Sequence, residues 1–206
     1  MSGIWEMIIK GGVVMIPLFI TSIAGLTVFL ERIWFLRRKK NIDSETKFII
    51  DSIESEEDVE KAINKLGTPR NSLQQIVSVT LENYTRPRDE IKEKIVDQGR
   101  QESGKMEKGL VVLETVAGIA PLMGLLGTVL GMIEVFQVIT EKGLGQTQSL
   151  SSGISQALIT TVVGLTIAIP ALIAYNYLNH KVENLVLEIE DYSRKLLDRI
   201  LCFREN

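Results

Sequence analysis

Two threonine hydroxyls, those of Thr128 and Thr161, stand inside long stretches of sequence that carry no charged residue. Thr128 belongs to the segment GIAPLMGLLGTVLGM (118–132), and Thr161 belongs to ITTVVG (159–164). A hydroxyl in such a place often has a structural role, because it donates back to a carbonyl of its own helix. The alternative is that both hydroxyls line a buried ion pathway. No ionisable residue lies near the middle of these stretches, so such a pathway would need its titrating group from another protein.

The surrounding sequence predicts the elements that carry these hydroxyls. Three runs of 20, 19 and 37 residues contain no charged residue. About 20 apolar residues in a helix are enough to cross the hydrocarbon core of a bilayer. We therefore expect an all-α membrane protein with three transmembrane helices, at residues 10–30, 111–139 and 151–178.

Small residues recur along one stripe of the second and of the third predicted membrane helix. The first stripe consists of Ala117, Ala120, Gly124, Thr128 and Gly131, with Gly127 beside it. The second consists of Gly153, Ala157, Thr161, Gly164, Ala168 and Ala171. Helices in lipid associate closely where small residues let their backbones approach. We therefore predict close packing of the two helices, with Gly124, Gly127, Gly131 and Gly164 as packing residues.

Counting along the helices gives the depth of the polar groups. The second helix is expected to end near residue 138 and the third to begin near 151, so Thr128 and Thr161 each lie ten residues inside. At 1.5 Å per residue both hydroxyls would lie about 15 Å deep, at one level near the bilayer midplane. The same count places Glu134 and Gln156 near the outer surface, where they are candidate polar groups of an outer mouth.

Basic residues indicate the orientation of the chain in its membrane. Residues 31–110 hold sixteen Lys and Arg residues, beginning with the RRKK cluster directly behind the first helix, and residues 179–206 hold five. Basic loops stay in the cytoplasm. This predicts a cytoplasmic insert at 31–110 and a cytoplasmic tail at 179–206, with a short N-terminus (1–9) and a loop (140–150) outside.

The insert is expected to be helical, with breaks at Leu66–Asn71 and Tyr84–Asp89, where glycine or proline interrupts the pattern. Membrane helices two and three are expected to extend into this domain, the second directly from the charged helix after Pro87. In the tail, apolar residues recur at helical spacing: Leu178, Val182, Leu185, Ile189, Tyr192, Leu196, Ile200 and Phe203. This seam favours either packing on the insert of the same chain or a ring of such helices from several subunits.

Several other functions are not supported by the sequence. Acidic and basic residues are interleaved and the net charge is −3, so no basic surface for nucleic acid is expected. His180 has no second metal ligand at a suitable spacing, Cys202 is a single cysteine, and no phosphate-binding glycine motif is present. We therefore expect no enzyme, metal site or cofactor, and an ion gradient as the energy source if there is one.

The segments GGVVMIPLFITSIAGLTVFLERIWFL, APLMGLLGTVLGM and GISQALITTVVGLTIAIPALIAYN resemble the MotA, TolQ and ExbB family of ion-channel subunits, nearest its ExbB/TolQ branch. The resemblance implies a pentameric ring in the bacterial inner membrane that encloses helices of an ExbD/TolR-like partner, whose membrane aspartate carries the proton. A TonB-like or TolA-like protein would use the energy. It also implies that Thr128 and Thr161, rather than Thr160, line the pathway.

One residue departs from the family pattern. ExbB and TolQ sequences commonly have glutamate where this chain has Gln156, and nearby Glu134 is the residue that could replace its function. The interpretation is therefore a channel-forming subunit of a proton-driven motor that acts in the periplasm or at the outer membrane. A non-conducting scaffold that clamps a partner helix, sodium coupling and a motility function stay open as alternatives.

Overall fold

A computed structural model describes residues 11–37, 41–143 and 147–205. Within these ranges the chain forms seven α-helices and no strand. The helices are α1 (Met15–Phe35), α2 (Ser44–Ser52), α3 (Glu56–Leu66), α4 (Ser72–Glu82), α5 (Arg88–Glu107), α6 (Leu110–Lys142) and α7 (Thr147–Glu205). Three of them, α1, α6 and α7, are long and apolar enough to cross a membrane, which confirms the predicted all-α fold with three transmembrane helices.

The chain divides into two compact units. The first, which we call the membrane unit, combines Met1–Glu31 with Gly109–Tyr177. The second, the helical unit, combines Arg32–Lys108 with Leu178–Asn206. The predicted outer N-terminus (1–9) and the middle of the predicted outer loop, residues 144–146, lie outside the described residues.

In the membrane unit, α1 packs on the pair formed by α6 and α7 near its first turn. Val14, Met15 and Leu18 are buried there in one cluster with Ala120 of α6 and Ala168 of α7. Most of the larger apolar side chains of the three helices are exposed instead, among them Phe19, Leu122 and Leu158. Exposed apolar side chains around buried small ones are the arrangement that a lipid environment favours, because lipid tails are as apolar as the side chains that face them.

In the helical unit, polar side chains fix the starts of the short helices. Asp43, Ser55 and Asn71 each accept a hydrogen bond from the first turn of α2, α3 and α4 respectively, which satisfies a backbone donor without a helical partner. Helix α3 ends at Leu66 and is followed by Gly67, whose φ of +56° favours glycine, and α5 begins directly after Pro87. The helix boundaries thus fall in the two breaks expected from glycine and proline.

The apolar seam of α7 packs within this unit. Six of its eight residues are buried: Leu178, Val182, Leu185, Ile189, Leu196 and Ile200. Tyr192 and Phe203 are half-buried. This burial within one chain supports the intramolecular interpretation of the seam.

The start of α6 differs from the expected continuous helix after Pro87. Gly109 adopts φ +88° and separates α5 from α6, and the N–H of Lys108 closes the last turn of α5 on the carbonyl of Gly104. A left-handed residue ends a helix, and glycine adopts that conformation without steric cost. Helix α7, by contrast, runs without a break through the predicted boundary at residue 178.

Candidate ion pathway on the second and third membrane helices

Helices α6 and α7 are in backbone contact along their small residues. Gly124, Gly127 and Gly131 of α6 are buried, as is Gly164 of α7. A methyl group added at Gly164 would lie 2.5 Å from the carbonyl oxygen of Ala120, and one added at Gly124 would lie 2.9 Å from that of Thr160. Since real side chains do not approach so closely, only glycine fits at these points. The structure therefore places all four predicted packing glycines in the helix–helix contact.

Thr160 occupies the centre of this contact, a position that the sequence assigned to Thr161. Its side chain is fully buried against Gly127. Its hydroxyl donates to the carbonyl of Ala157 at 2.8 Å and lies 3.3 Å from that of Gly124 on the facing helix. Thr160 is thus a packing residue that ties α7 to α6.

Thr128 and Thr161 lie at the edge of the contact, and both are half-buried. The predicted packing stripes contained Thr128 and Thr161. In the structure, Gly127 and Thr160 occupy these positions in the contact instead. The Thr128 hydroxyl donates to the carbonyl of Leu125 at 2.6 Å, within its own helix. The Thr161 hydroxyl donates across the contact to the carbonyl of Gly124 at 3.1 Å. Each proton is engaged within the chain, but each hydroxyl oxygen can still accept a hydrogen bond.

Both threonines lie on the same side of the helix pair, away from α1. Helix α1 contacts the other side, where Met123 of α6 and Val163 of α7 pack against its cluster. Because each residue turns a helix by about 100°, Thr128 and Met123 point to opposite sides of Gly127, and Thr161 and Val163 to opposite sides of Thr160. We call the side that carries Thr128 and Thr161 the threonine face. Helix α1 leaves it uncovered, so that a further helix can reach it.

The two hydroxyls are one helical turn apart along the pair. The backbone of Thr161 lies opposite Gly124, 3.0 Å from the position that a methyl group there would occupy. Thr128 is four residues further along α6, about 6 Å at 1.5 Å per residue. The prediction of equal depth assumed that the outer ends of the two helices lie at one level. The contacts between α6 and α7 instead offset Thr128 and Thr161 by about one turn.

The two polar residues expected at the outer end lie on the side of the pair that α1 contacts. Gln156 is half-buried, and its amide lies against Gly12, just before α1 begins. Glu134 is exposed, and the helical rotation places it on the α1 side of α6. The structure therefore does not bring Glu134 and Gln156 onto the threonine face.

The geometry of the threonine face suits a carboxyl group supplied by another helix. A protonated carboxyl can donate to a threonine oxygen, and a carboxylate can accept from the same hydroxyl after it rotates away from its carbonyl. When Thr161 rotates, the Thr160 hydroxyl still lies 3.3 Å from the carbonyl of Gly124. Hydroxyls at this position can thus serve both protonation states of a neighbouring acid.

Sequence similarity connects this chain to a known protein family and to individual proteins. Residues 55–191 match the MotA/TolQ/ExbB proton channel family. The chain is 30% identical over 190 residues to a putative biopolymer transport protein ExbB homolog of Methanothermobacter thermautotrophicus, an alignment that covers 90% of this chain and 66% of that protein. It is 34% identical over 175 residues to a putative biopolymer transport protein ExbB-like 1 of Synechocystis, with 82% and 68% covered.

The chain therefore spans about two thirds of the length of these two relatives. The biopolymer transport protein ExbB of Neisseria gonorrhoeae is 26% identical over 201 residues, and 92% of this chain and 91% of that protein are covered. The resemblance predicted from the three membrane segments is confirmed. The chain is a multi-pass membrane protein that belongs to the MotA/TolQ/ExbB proton channel family.

Proposed function

We propose that this protein is the channel-forming subunit of an ExbB/TolQ-like motor in the bacterial inner membrane. It couples the proton-motive force, through an ExbD/TolR-like single-span partner, to work in the periplasm or at the outer membrane, as in TonB-dependent uptake. The relatives named as biopolymer transport proteins support a transport role. The placement of the basic residues supports an N-terminus outside and a C-terminus in the cytoplasm.

The observation that carries this proposal is the threonine face. Thr128 and Thr161 present hydroxyls on the one side of the α6–α7 pair that α1 leaves uncovered. Between Glu114 and Glu134, α6 has no ionisable residue, and α7 has none near the level of Thr161. A proton that crosses at this level therefore needs a carrier from outside the chain, and a membrane aspartate of the partner has the right chemistry.

The two hydroxyls then lower the cost of charging that aspartate. Burying a carboxylate without hydrogen-bond donors costs several kcal/mol, which would hold the acid in its protonated form. Thr128 and Thr161 are one turn apart, so a partner aspartate passing along the face meets two successive donors. The packing glycines contribute by holding α6 and α7 in a fixed register, which fixes the spacing of the two hydroxyls.

One chain offers a single threonine face, and surrounding a partner helix requires several. We propose a ring of identical subunits, a pentamer by resemblance to the family, with the threonine faces turned inward and the exposed apolar side chains turned to lipid. The partner helices would stand inside this ring.

Flux through reconstituted vesicles tests the proposal. The complex with its ExbD/TolR-like partner is compared with Thr128→Val, Thr161→Val and the double variant, at equal assembly measured by native mass spectrometry. We expect loss of proton flux in all three. Thr166→Val is the matched control, because its hydroxyl donates within its own helix, as that of Thr128 does, but lies on the α1 side.

Full flux in the double variant would overturn the pathway proposal. The alternative, a scaffold that clamps a partner helix, would then stand. The same vesicles, given a sodium gradient in place of the proton gradient, decide which ion is coupled.

A further inference from the structure

Glu114 is an acid on the threonine face that the pathway described so far does not use. It lies in the second turn of α6 and is exposed. It precedes Thr128 by just under four helical turns, so both side chains leave α6 in nearly the same direction. Gly118 lies one turn further along α6 and is exposed too, with open space around it.

The contacts of α6 place Glu114 inside the ends of the neighbouring helices. Val116 touches Gly25 of α1, which puts Glu114 about one turn deeper than Glu31. Ala120 touches Gly164 of α7, and extending that register puts Glu114 about two turns deeper than Tyr177, the last residue of the membrane unit. The carboxylate is therefore set back from the inner ends of α1 and of the membrane part of α7.

At this depth, a carboxylate has a high free energy where it faces lipid and a low one where it faces water. Ionisable residues inside membrane segments face the interior of a bundle or a water-filled cavity in nearly all cases. The other acids of α6 whose side chains the structure describes, Glu134 and Glu141, are rotated to the α1 side and lie at the outer end. Glu114 thus marks the threonine face as the hydrated one at its inner end.

We propose that Glu114 forms the inner mouth of the ion pathway and concentrates the monovalent cations that leave or enter there. This inference rests on the proposed function, because it assumes that the threonine faces enclose the pathway. In a ring of copies the Glu114 carboxylates lie at one level, and together they raise the local concentration of hydronium or sodium at the opening. Glu114 is a specificity-determining residue in this role, since it selects cations without carrying them across.

Flux at two ionic strengths separates this role from the proposed function. The complex is compared with Glu114→Gln, Glu114→Lys and the charge-conserving Glu114→Asp. At about 10 mM salt, where charges act over roughly 30 Å, we expect Glu114→Gln to lower flux at least about threefold and Glu114→Lys to lower it further. At about 1 M salt, where the range is roughly 3 Å, the difference should nearly vanish. Glu114→Asp should keep the parental flux.

The controls make each outcome informative. Glu93→Gln removes an exposed acid of α5 in the helical unit and should have no effect. Parental flux of Glu114→Gln at low salt, together with lost flux of Thr128→Val, overturns the inference and leaves the proposed function standing. Parental flux of the double variant, Thr128→Val with Thr161→Val, overturns the proposed function itself.

Water access gives a second measurement that does not depend on flux. In a Cys202→Ser background, Glu114→Cys in the assembled complex should react with a membrane-impermeant thiol reagent added from the inner side. A cysteine at exposed Leu122, which lies elsewhere around α6, should not react. Equal protection of both cysteines would show that Glu114 faces lipid and would overturn the inference.

Discussion

The contact at Gly164 allows a sharp test of whether close packing holds the membrane unit together. Replacing Gly164 by alanine adds a methyl group 2.5 Å from the carbonyl oxygen of Ala120 and 3.1 Å from the Cα of Gly124. Both are backbone atoms, so no side-chain rotation relieves the clash. The helices must move apart until the first distance reaches the 3.4 Å of ordinary contact. A matched change exists on the facing helix, because a methyl group at Gly118 meets nothing within 4 Å.

The size of the effect follows from these distances. A gap of about 0.9 Å forfeits roughly a quarter to a half of the dispersion energy of the atoms that it separates. Overpacking of this kind costs about 1–3 kcal/mol. The same movement stretches the Thr161–Gly124 hydrogen bond beyond its present 3.1 Å, and such bonds average about 0.6 kcal/mol in membrane proteins. The gain of about 1 kcal/mol in helix propensity is common to Gly164→Ala and Gly118→Ala and cancels between them. We therefore expect Gly164→Ala to be less stable than Gly118→Ala by about 2–3 kcal/mol.

Unfolding in mixed micelles measures this difference. Both variants are titrated with sodium dodecyl sulfate, and the loss of helix is followed by circular dichroism. Gly164→Ala should unfold at a clearly lower fraction of the denaturing detergent than Gly118→Ala. Coinciding transitions would refute the claim that the glycine contact stabilises the pair.

Two further predictions concern topology and the helical unit. In a Cys202→Ser background, Gln148→Cys should react with an impermeant reagent from outside the cell and Glu60→Cys should not; the reverse pattern would overturn the orientation. Asp43→Ala should destabilise the helical unit by about 1–2 kcal/mol at neutral pH, because it removes the N-cap of α2. Burial alone would raise the pKa of Asp43, but hydrogen bonds from Thr46 and Asn71 outweigh it and hold that pKa below 3.8. The stabilisation is therefore present above pH 3.8 and is lost as the pH falls through the lowered folded-state pKa, so the difference between parent and Asp43→Ala in thermal unfolding should shrink as the pH is lowered progressively below 3.8. An unchanged difference would contradict this account.

The membrane helices could be predicted from the sequence because their signal is a property of the linear chain alone. A charge-free run of sufficient length is enough to identify a spanning helix. The precise ends could not be predicted: α1 begins at Met15, after Gly12 with φ +69°, and α6 begins after Gly109 with φ +88°. Such ends depend on which glycine takes the left-handed conformation, and both helices have several glycines near their ends or along their length.

The position of the threonines around their helices could not be predicted, for a reason that lies in helical geometry. A stripe on a helix alternates steps of three and four residues, and the order of the steps is free. From Gly124 to Gly131 the stripe passes through Gly127 or through Thr128, and from Ala157 to Gly164 it passes through Thr160 or through Thr161. Periodicity alone does not choose between these paths. The choice depends on where α1 packs against the pair of α6 and α7, which is a property of the folded chain.

The same ambiguity explains how one sequence segment can both pack and carry the proposed pathway residues. Helix α1 packs on one side of the pair. Gly127 of α6 and Thr160 of α7 lie in the contact between the two helices. The residues that follow them, Thr128 and Thr161, face the side that α1 leaves open. Had Thr128 and Thr161 filled the contact, their hydroxyls would be locked between backbones and could not rotate towards a partner. Because Gly127 leaves room for Thr160, the helices stay close while both edge hydroxyls stay within reach of another helix. The glycines thus fix the positions of the two threonines without occupying the face on which the proposed chemistry takes place.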